Sequence, residues 1–191
     1  MPENMHDSVA RLLSEWQVAR PDLDPAPVGI QGRITRLSAY FQRRAEEWLK
    51  KFDLTWEAFS LIVTLRRAGA PYELRPTDIR DQSLLTFGAI TNRIDRVEAM
   101  GLIERRADKN DRRSYIIRLT RRGKGLADEA IAHQFASLNG IMSVLSKSER
   151  MQLTATLSKL LLSFERSNTV AAPKTSQKRS MAGKKTRHTT D

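Results

Sequence analysis

The sequence predicts a mainly α-helical fold with one small β-hairpin, an α+β arrangement. Apolar residues recur at helical spacing through most of the stretch from residue 31 to 166. A period of two appears only around residues 102–119, where two short segments flank a charged turn. A helical pattern ends directly before that hairpin, at Gly101. These observations predict a helical body with a single hairpin projecting from it.

The first 30 residues are predicted to form an extension. Val9, Leu12, Leu13 and Trp16 have the spacing of a short amphipathic helix. The prolines at 21, 25 and 27 then predict an extended connection. We expect this segment to cover helices of a partner subunit.

Three helices are predicted before the hairpin region. A long amphipathic helix over residues 31–51 is indicated by apolar side chains at Ile34, Leu37, Phe41, Ala45 and Trp48. Thr55 is a suitable N-cap for a second helix, whose apolar positions are Phe59, Ile62, Val63 and Leu65. Pro76 starts a short third helix over residues 77–82, as the first element of a helix-turn-helix.

The next helix, ending at Gly101, has two distinct faces. Ile90, Ile94 and Val97 fall on one side and are expected in the core. Thr86 is the expected N-cap and Gly101 the expected left-handed stop. The outward residues are small or polar, with Thr91 and Arg93 on the flanks: Gly88, Asn92, Asp95, Arg96 and Ala99. This face is either a DNA-reading surface or an ordinary solvated face in which Asp95 and Glu98 partner the arginines.

The hairpin supports the first alternative. Tyr115, Ile117 and Leu119 alternate with less apolar neighbours in the return strand. Residues 108–111 have the composition of a turn, and Arg112 and Arg113 follow at the tip, where Asp111 is placed to orient one of them. Paired guanidiniums suit a narrow, electronegative minor groove. The alternative is that these charges protect the edges of exposed strands.

Two further helices are predicted after the hairpin, over residues 121–166. Thr120 is a suitable N-cap for the first, and Ser146 with Glu149 forms a capping box at the start of the second. Both carry more apolar surface than a small domain needs, so it must be buried against either the first long helix or a second copy of the chain. We favour a two-fold dimer.

The residues of the helix and hairpin have the chemistry of DNA contacts. Asn92 can pair bidentately with adenine, and Thr91 can contact a thymine methyl or a phosphate. Arg93 and Arg96 are suited to phosphates, and Arg113, with Arg112, to the minor groove. The helix N-terminal residues, Thr86 and Gly88, belong to the same predicted contact set.

The stretch from Thr91 to Gly123 resembles the MarR family of bacterial transcriptional regulators. The family pattern has a T-N-R-x-D-x-L-E-x-x-G-L-[IV]-x-R helix-to-strand junction, a D-x-x-D-R-R tip and an L-T-x-x-G exit. The matching residues are Thr91-Asn92-Arg93, Asp95, Glu98, Gly101-Leu102-Ile103, Arg105, Asp108, Asp111-Arg112-Arg113, Leu119-Thr120 and Gly123. The sequence departs from it at Phe87, where a small hydroxyl residue is common, and at Arg75, where a capping Thr or Ser is usual.

The resemblance implies a winged helix-turn-helix with N- and C-terminal dimerisation helices. DNA binding is then assigned to about residues 55–120 of a domain spanning 31–166, and dimerisation to about 31–51 and 121–166. It further implies a homodimer that binds palindromic double-stranded DNA, more often as a repressor, and loses affinity when a small aromatic or anionic effector binds. Aromatic candidates for that pocket are Phe41, Trp48, Trp56 and Phe59; simple core packing is the alternative for all four.

Charge agrees with a polyanionic partner. The formal net charge of the 191 residues is +11. Residues 167–191 contribute six Lys or Arg against one Asp and few apolar side chains, which predicts a disordered tail. The tail either holds DNA nonspecifically through counterion release or only adds solubility.

Other functional classes receive little support from the sequence. There is no cysteine, and His6, His133 and His188 are far apart, so neither a metal site nor a cofactor is expected. No phosphate-binding loop or carboxylate cluster predicts an enzyme. Neither a signal peptide nor a membrane span is predicted, and we expect a cytoplasmic, nucleoid-associated protein. The rival interpretations are a nonspecific architectural DNA-binding protein that relies on the basic tail, and a winged-helix module that binds proteins.

Overall fold

The computed structural model describes residues 7–83, 87–108 and 114–171. The chain divides into two compact units, residues 1–139 and 140–191. The helices are α1 (Ser8–Ala19), α2 (Ala26–Leu49), α3 (Trp56–Arg67), α4 (Pro76–Ser83), α5 (Phe87–Ala99), α6 (Arg121–Met142) and α7 (Lys147–Ala171), and the strands are β1 (Glu73–Leu74), β2 (Ile103–Ala107) and β3 (Tyr115–Leu119). The predicted fold class, mainly helical with a small antiparallel sheet, is confirmed.

The two N-terminal helices pack against each other. Asp7 caps α1, accepting from the backbone N–H groups of Val9 and Ala10 at 3.0 and 2.8 Å, and its carboxylate also binds Arg33 of α2 at 2.8 Å. The hydrogen bond from the Ala10 backbone is the largest cause of the lowered pKa of Asp7. Gly29 leaves room for the Leu13 side chain, because a Cβ there would lie 2.9 Å from its Cδ1 atom.

The predicted start of the long helix, at residue 31, was wrong. Helix α2 begins at Ala26, and Pro27 lies in its first turn. Proline is compatible with this position because the first helical N–H groups have no intrahelical partner. Pro21 and Pro25 therefore lie in the connection between α1 and α2, in which residues 20–25 are non-helical, and Pro25 is the N-cap of α2.

The core of the first unit lies between helices α2, α3, α5 and α6 and one face of the sheet. Thr55 caps α3 as predicted, accepting from the Ala58 backbone at 3.2 Å. Phe59, Ile62 and Leu65 of α3 are at most 2% exposed. This core supports the elements on which the predicted DNA contacts lie.

The sheet has three antiparallel strands in the order β1-β3-β2. The hairpin register pairs Ile103 with Leu119 and Ala107 with Tyr115. Strand β1 adds a third strand that the sequence did not predict, pairing Glu73 with Arg118. Ile117 and Leu119 point into the core, as their alternation predicted.

Within the second unit, α7 is a long helix with an exposed surface. Ser146 and Glu149 form the predicted capping box: Ser146 N–H donates to Glu149 Oε2 at 2.7 Å and Glu149 N–H to Ser146 Oγ at 3.3 Å. Every residue from 146 to 166 is exposed. The helix continues to Ala171, five residues beyond the predicted limit at residue 166. The rest of the predicted tail, residues 172–191, lies outside the described part.

Candidate nucleic-acid interface

Helix α5 presents the two faces that its sequence predicted. Ile90, Ile94 and Val97 are at most 1% exposed, whereas Gly88, Thr91, Asn92, Asp95 and Arg96 are exposed and Arg93 is half-buried. The helix ends where expected: Gly101 has φ +68°, and Leu102 N–H donates to Val97 O at 3.3 Å. Side chains with the chemistry of DNA contacts therefore share an outward surface on a helix whose other side is fixed in the core.

The two carboxylates of α5 are engaged by a residue of the hairpin. The Arg105 guanidinium binds both Asp95 and Glu98, and Arg105 N–H donates to Glu98 Oε1 at 2.9 Å. The guanidinium also lies 5.4 Å from the centroid of the Tyr115 ring. Burial acts to lower the pKa of Arg105, but hydrogen bonds with Asp95 and Tyr115 and the charge of Glu98 outweigh it and raise that pKa.

The solvated-face alternative pairs Asp95 and Glu98 with the arginines of their own helix, whereas in the structure both carboxylates bind Arg105 of the hairpin. Across residues 7–83, 87–108 and 114–171, neither Arg93 nor Arg96 has an ion pair within 4.0 Å. Both are close enough to contribute to the lowered pKa of Glu57 on α3, although the Glu57 backbone and the Thr55 side chain contribute more. The guanidiniums of Arg93 and Arg96 are therefore not held in close ion pairs with the carboxylates of their own helix.

The C-terminal end of α5 is held by the beginning of α6. Thr120 Oγ donates to Gly101 O at 2.9 Å and accepts from Gly123 N–H at 2.9 Å, which confirms Thr120 as the N-cap. Arg122 Nη1 donates to Met100 O at 2.8 Å. The carbonyl groups at the end of α5 thus gain partners from α6, and these hydrogen bonds fix where α5 ends.

The hairpin is described up to its tip. Asp108 directly follows β2 and is 6% exposed; its carboxylate accepts a hydrogen bond from Arg75 Nε at 2.8 Å. Sequence reasoning missed this pair, although the unusual arginine at position 75 was a signal for it. Four of the predicted DNA-binding residues lie outside the described residues: Thr86, Asp111, Arg112 and Arg113.

The structure brings three of the four predicted pocket aromatics together. Trp48 and Phe59 meet edge to face with ring centroids 5.1 Å apart, and Trp56 lies 5.8 Å from Phe59. Trp48 and Phe59 are 7% and 2% exposed, which favours the core-packing alternative for these two, whereas Trp56 is 44% exposed. Phe41 is half-buried on α2 and makes no ring contact with them in the described part of the chain.

His133 has a role that the sequence did not predict. Its ring lies 5.3 Å from Trp48 and 5.7 Å from Phe52, and the side chain is half-buried. It is therefore an aromatic packing residue rather than a surface or capping residue. In the described ranges, no group of three His, Asp or Glu side chains is arranged to hold a metal ion. None of the described helices has the length and apolar composition needed to cross a bilayer.

Comparisons with known proteins agree with this architecture. The model of the MarR family matches residues 54–115. The regulator PecS of Dickeya dadantii (an HTH-type transcriptional regulator) is 32% identical over 152 residues, covering 80% of this chain and 92% of PecS. The multiple antibiotic resistance protein MarR of Escherichia coli is 27% identical over 119 residues, covering 62% of this chain and 78% of MarR.

Solved structures show the same fold. A mutant of E. coli MarR in complex with operator DNA matches with a TM-score of 0.62 and 23% identity over 72% of this chain and 96% of that one. The organohalide-sensing regulator RdhR, bound to 2,4-dichlorophenol, matches with a TM-score of 0.63 and 21% identity over 72% of this chain and 80% of that one. The helix-turn-helix, the hairpin and the relationship to PecS together lead to one conclusion. The chain belongs to the MarR family of transcriptional regulators.

Proposed function

We propose that this regulator is a repressor that binds palindromic operators as a homodimer, with α5 in the major groove and the hairpin tip in the minor groove. The observation that carries the proposal is that Arg93 and Arg96 of α5 form no close ion pair with the carboxylates of their own helix. Arg105 engages Asp95 and Glu98, so Arg93 and Arg96 remain available for phosphates. The solved complex of E. coli MarR with operator DNA is consistent with this use of the fold.

Each predicted contact residue has a distinct role in this proposal. Asn92 and Thr91 read base edges, with Gly88 and Thr86 near the helix N-terminus allowing close approach. Arg93 and Arg96 bind phosphates and set the position of the helix. Arg113 and Arg112 enter the minor groove, oriented by Asp111.

Exposed apolar faces support the dimer. Helix α2 exposes Ile30, Ile34 and Leu37 at 62%, 39% and 52%, at positions that share one side of the helix. Helix α7 exposes a second set: Leu153, Leu157, Leu160, Leu161 and Phe164. Most helical stability in water comes from burying such a face. A second copy of the chain that covers these faces would also place two α5 helices on one palindrome.

The DNA contacts are tested with a palindromic duplex that the protein itself selects from a random-sequence pool. The wild type is expected to bind it about 10³-fold or more tightly than random duplex. Asn92→Ala should weaken only the selected site, by about 1–3 kcal/mol per lost base contact. Arg96→Ala should weaken both duplexes and lower the slope of log affinity against log salt by about one per phosphate contact.

The matched control for Arg96→Ala is Arg43→Ala, which removes an exposed arginine from α2. It should leave the salt slope within error of wild type. An equal change in both variants would mean that total charge, rather than the α5 face, drives binding. Equal wild-type affinity for selected and random duplex would instead favour an architectural protein that uses its basic tail.

The dimer is tested by sedimentation equilibrium. Leu157→Asp introduces a charge into the apolar face of α7, and Gln152→Asp introduces the same charge on the opposite side of that helix. We expect the first to yield monomers and the second to remain dimeric. Dimers of unchanged affinity in both variants would contradict the use of this face.

Release by an effector is the remaining part of the proposal. Trp56 and Phe41 present ring surface to a ligand, while Trp48 and Phe59 support it from the core. Because RdhR binds 2,4-dichlorophenol, this compound is a suitable first probe. If it is an effector, it should lower operator affinity and quench tryptophan fluorescence, and Trp56→Leu should reduce both responses. In this proposal the protein has no catalytic role and lies on the nucleoid.

A further inference from the structure

A buried charged residue lies where the hairpin tip begins, directly after the end of β2. Asp108 is 6% exposed, and it is the buried charged residue within residues 7–83, 87–108 and 114–171. Its Oδ2 atom accepts from Arg75 Nε at 2.8 Å and lies 2.7 Å from Arg75 Nη2. Ser114 Oγ lies 3.4 Å from the same oxygen, and Asp108 N–H donates to Ser114 O at 3.1 Å. The carboxylate therefore joins both strands of the hairpin where the tip begins.

Arg75 connects this carboxylate to the helix-turn-helix. It directly precedes α4, and its N–H donates to Asp78 Oδ2 at 3.2 Å, three residues into the helix start. This hydrogen bond is half of a capping box, with the side chain reaching back to the N-cap backbone. The Arg75 backbone is thus fixed by α4, while its side chain is fixed by Asp108, 33 residues later in the chain.

The pair has the character of a geometric constraint. Burying a carboxylate costs free energy that its partner only partly offsets, so such a pair adds little net stability compared with apolar residues. A two-donor contact to a carboxylate does, however, fix distance and direction. Arg112 and Arg113 follow Asp108 within five positions, so the position of Asp108 determines where the segment that carries them begins.

We propose that the Arg75–Asp108 pair sets the position of the hairpin relative to the helix-turn-helix, so that Arg112 and Arg113 and the α5 face engage one operator together. Both are positioning residues, acting through the tip arginines rather than touching DNA. The inference rests on the proposed function, in which those arginines enter the minor groove. It also explains why arginine stands at position 75 instead of a capping Thr or Ser.

The test is a double-mutant cycle on the self-selected palindromic duplex, measured by fluorescence anisotropy. Asp108→Asn should weaken binding about tenfold when Arg112 and Arg113 are present. In a background in which both tip arginines are alanine, the same substitution should change affinity less than about twofold. A merely structural role would give the same loss in both backgrounds, and that result would overturn the proposal.

Two further variants keep the test decisive. Arg75→Gln breaks the pair from its half-exposed side, so it remains informative if Asp108→Asn fails to fold, and it should show the same dependence on the tip arginines. Glu104→Gln is the matched control: it removes one negative charge from the same hairpin, where Glu104 pairs with Arg106 at 2.7 Å.

Operator binding by Glu104→Gln and by wild type separates failure of the positioning inference from failure of the proposed function. Glu104→Gln should not weaken operator binding in either background, and a loss as large as that of Asp108→Asn would overturn the proposal. If wild-type protein fails to prefer the selected duplex over random DNA, the proposed function itself fails. If wild type shows the preference but Arg75→Gln and Asp108→Asn bind like it, only the positioning inference fails.

Discussion

Gly123 of α6 lies against the backbone of Leu102 at the start of the hairpin, and its replacement by alanine gives a quantitative test of the fold. A Cβ atom at this position would lie 1.8 Å from Leu102 O and 2.7 Å from Leu102 C. Real Cβ atoms stay beyond 3.0 Å of such neighbours. Since the obstacle is backbone rather than a flexible side chain, the two segments must separate by more than an ångström.

The expected cost follows from what that separation disrupts. Overpacking of this kind costs about 1–3 kcal/mol. The hydrogen bond from Thr120 N–H to Leu102 O, 3.1 Å long, and the Thr120 cap each contribute about 1 kcal/mol that is weakened. Alanine recovers up to about 1 kcal/mol through helix propensity. The net loss for Gly123→Ala is therefore about 2–4 kcal/mol.

Gly125→Ala is the matched control, because it changes the same residue type two positions along α6 and its Cβ would meet nothing within 4 Å. It should stabilise the protein by up to about 1 kcal/mol. Urea unfolding followed by far-UV circular dichroism, at one fixed protein concentration, measures both variants. Equal midpoints for Gly123→Ala and Gly125→Ala would refute the close approach.

Three further outcomes are expected from the described contacts. Thr120→Val should lower the free energy of unfolding by about 1–2 kcal/mol, measured by urea denaturation, because the hydroxyl both caps α6 and binds Gly101 O. Hydrogen bonds from Lys124 and then Arg66 lower the pKa of Asp128, so its stabilising contribution is present at neutral pH and is lost as the pH falls from about 4 through that lowered pKa. At pH 7 the free energy of unfolding of Asp128→Asn should accordingly be lower than that of wild type by at most about 1 kcal/mol, measured by thermal denaturation. This difference should disappear on acidification, and a constant difference across pH would exclude the charge as its cause. Arg105→Gln should reduce the free energy of operator binding more than it reduces the free energy of unfolding, because it frees two carboxylates beside the DNA-facing arginines. Unchanged operator affinity would contradict that electrostatic role.

The elements with strong local signals were predicted well. The buried face of α5 was predicted because its apolar residues have helical spacing, and its end because Gly101 can adopt positive φ. Thr55, Thr120 and the Ser146 capping box were likewise predicted, since a cap is decided within three residues. These features depend on neighbours in sequence, which is why pattern reasoning reached them.

The errors came from features that local patterns do not determine. Strand β1 has only two residues, too few to show a period of two, and it forms because β3 offers an unpaired edge. Pro27 was interpreted as extended although the first turn of a helix accepts proline. The predicted helix limits at residues 31 and 166 differ from the observed limits at Ala26 and Ala171. Helix ends depend on tertiary packing and capping, which apolar spacing alone does not show.

The site residues also divide into those that local patterns predict and those that depend on long-range contacts. The outward face of α5 was predicted as a set, but the partner of Asp95 and Glu98 was not, because it depends on which edge of the hairpin lies beside the helix. Arg75 and Asp108 are 33 residues apart and meet only through the sheet. Long-range ion pairs of this kind leave no periodic signal in one sequence.

The engagement of Asp95 and Glu98 by Arg105 has a consequence for how such regulators can be recombined. Transplanting α5 alone into another scaffold would carry two carboxylates without their cation, and the grafted helix would arrive with the wrong local charge. The smallest segment that transfers intact is α5 together with the hairpin, residues 87–119. Evolution of a new DNA sequence preference within this framework is accordingly expected to alter positions 91–93 while retaining 95, 98 and 105 as one inherited set.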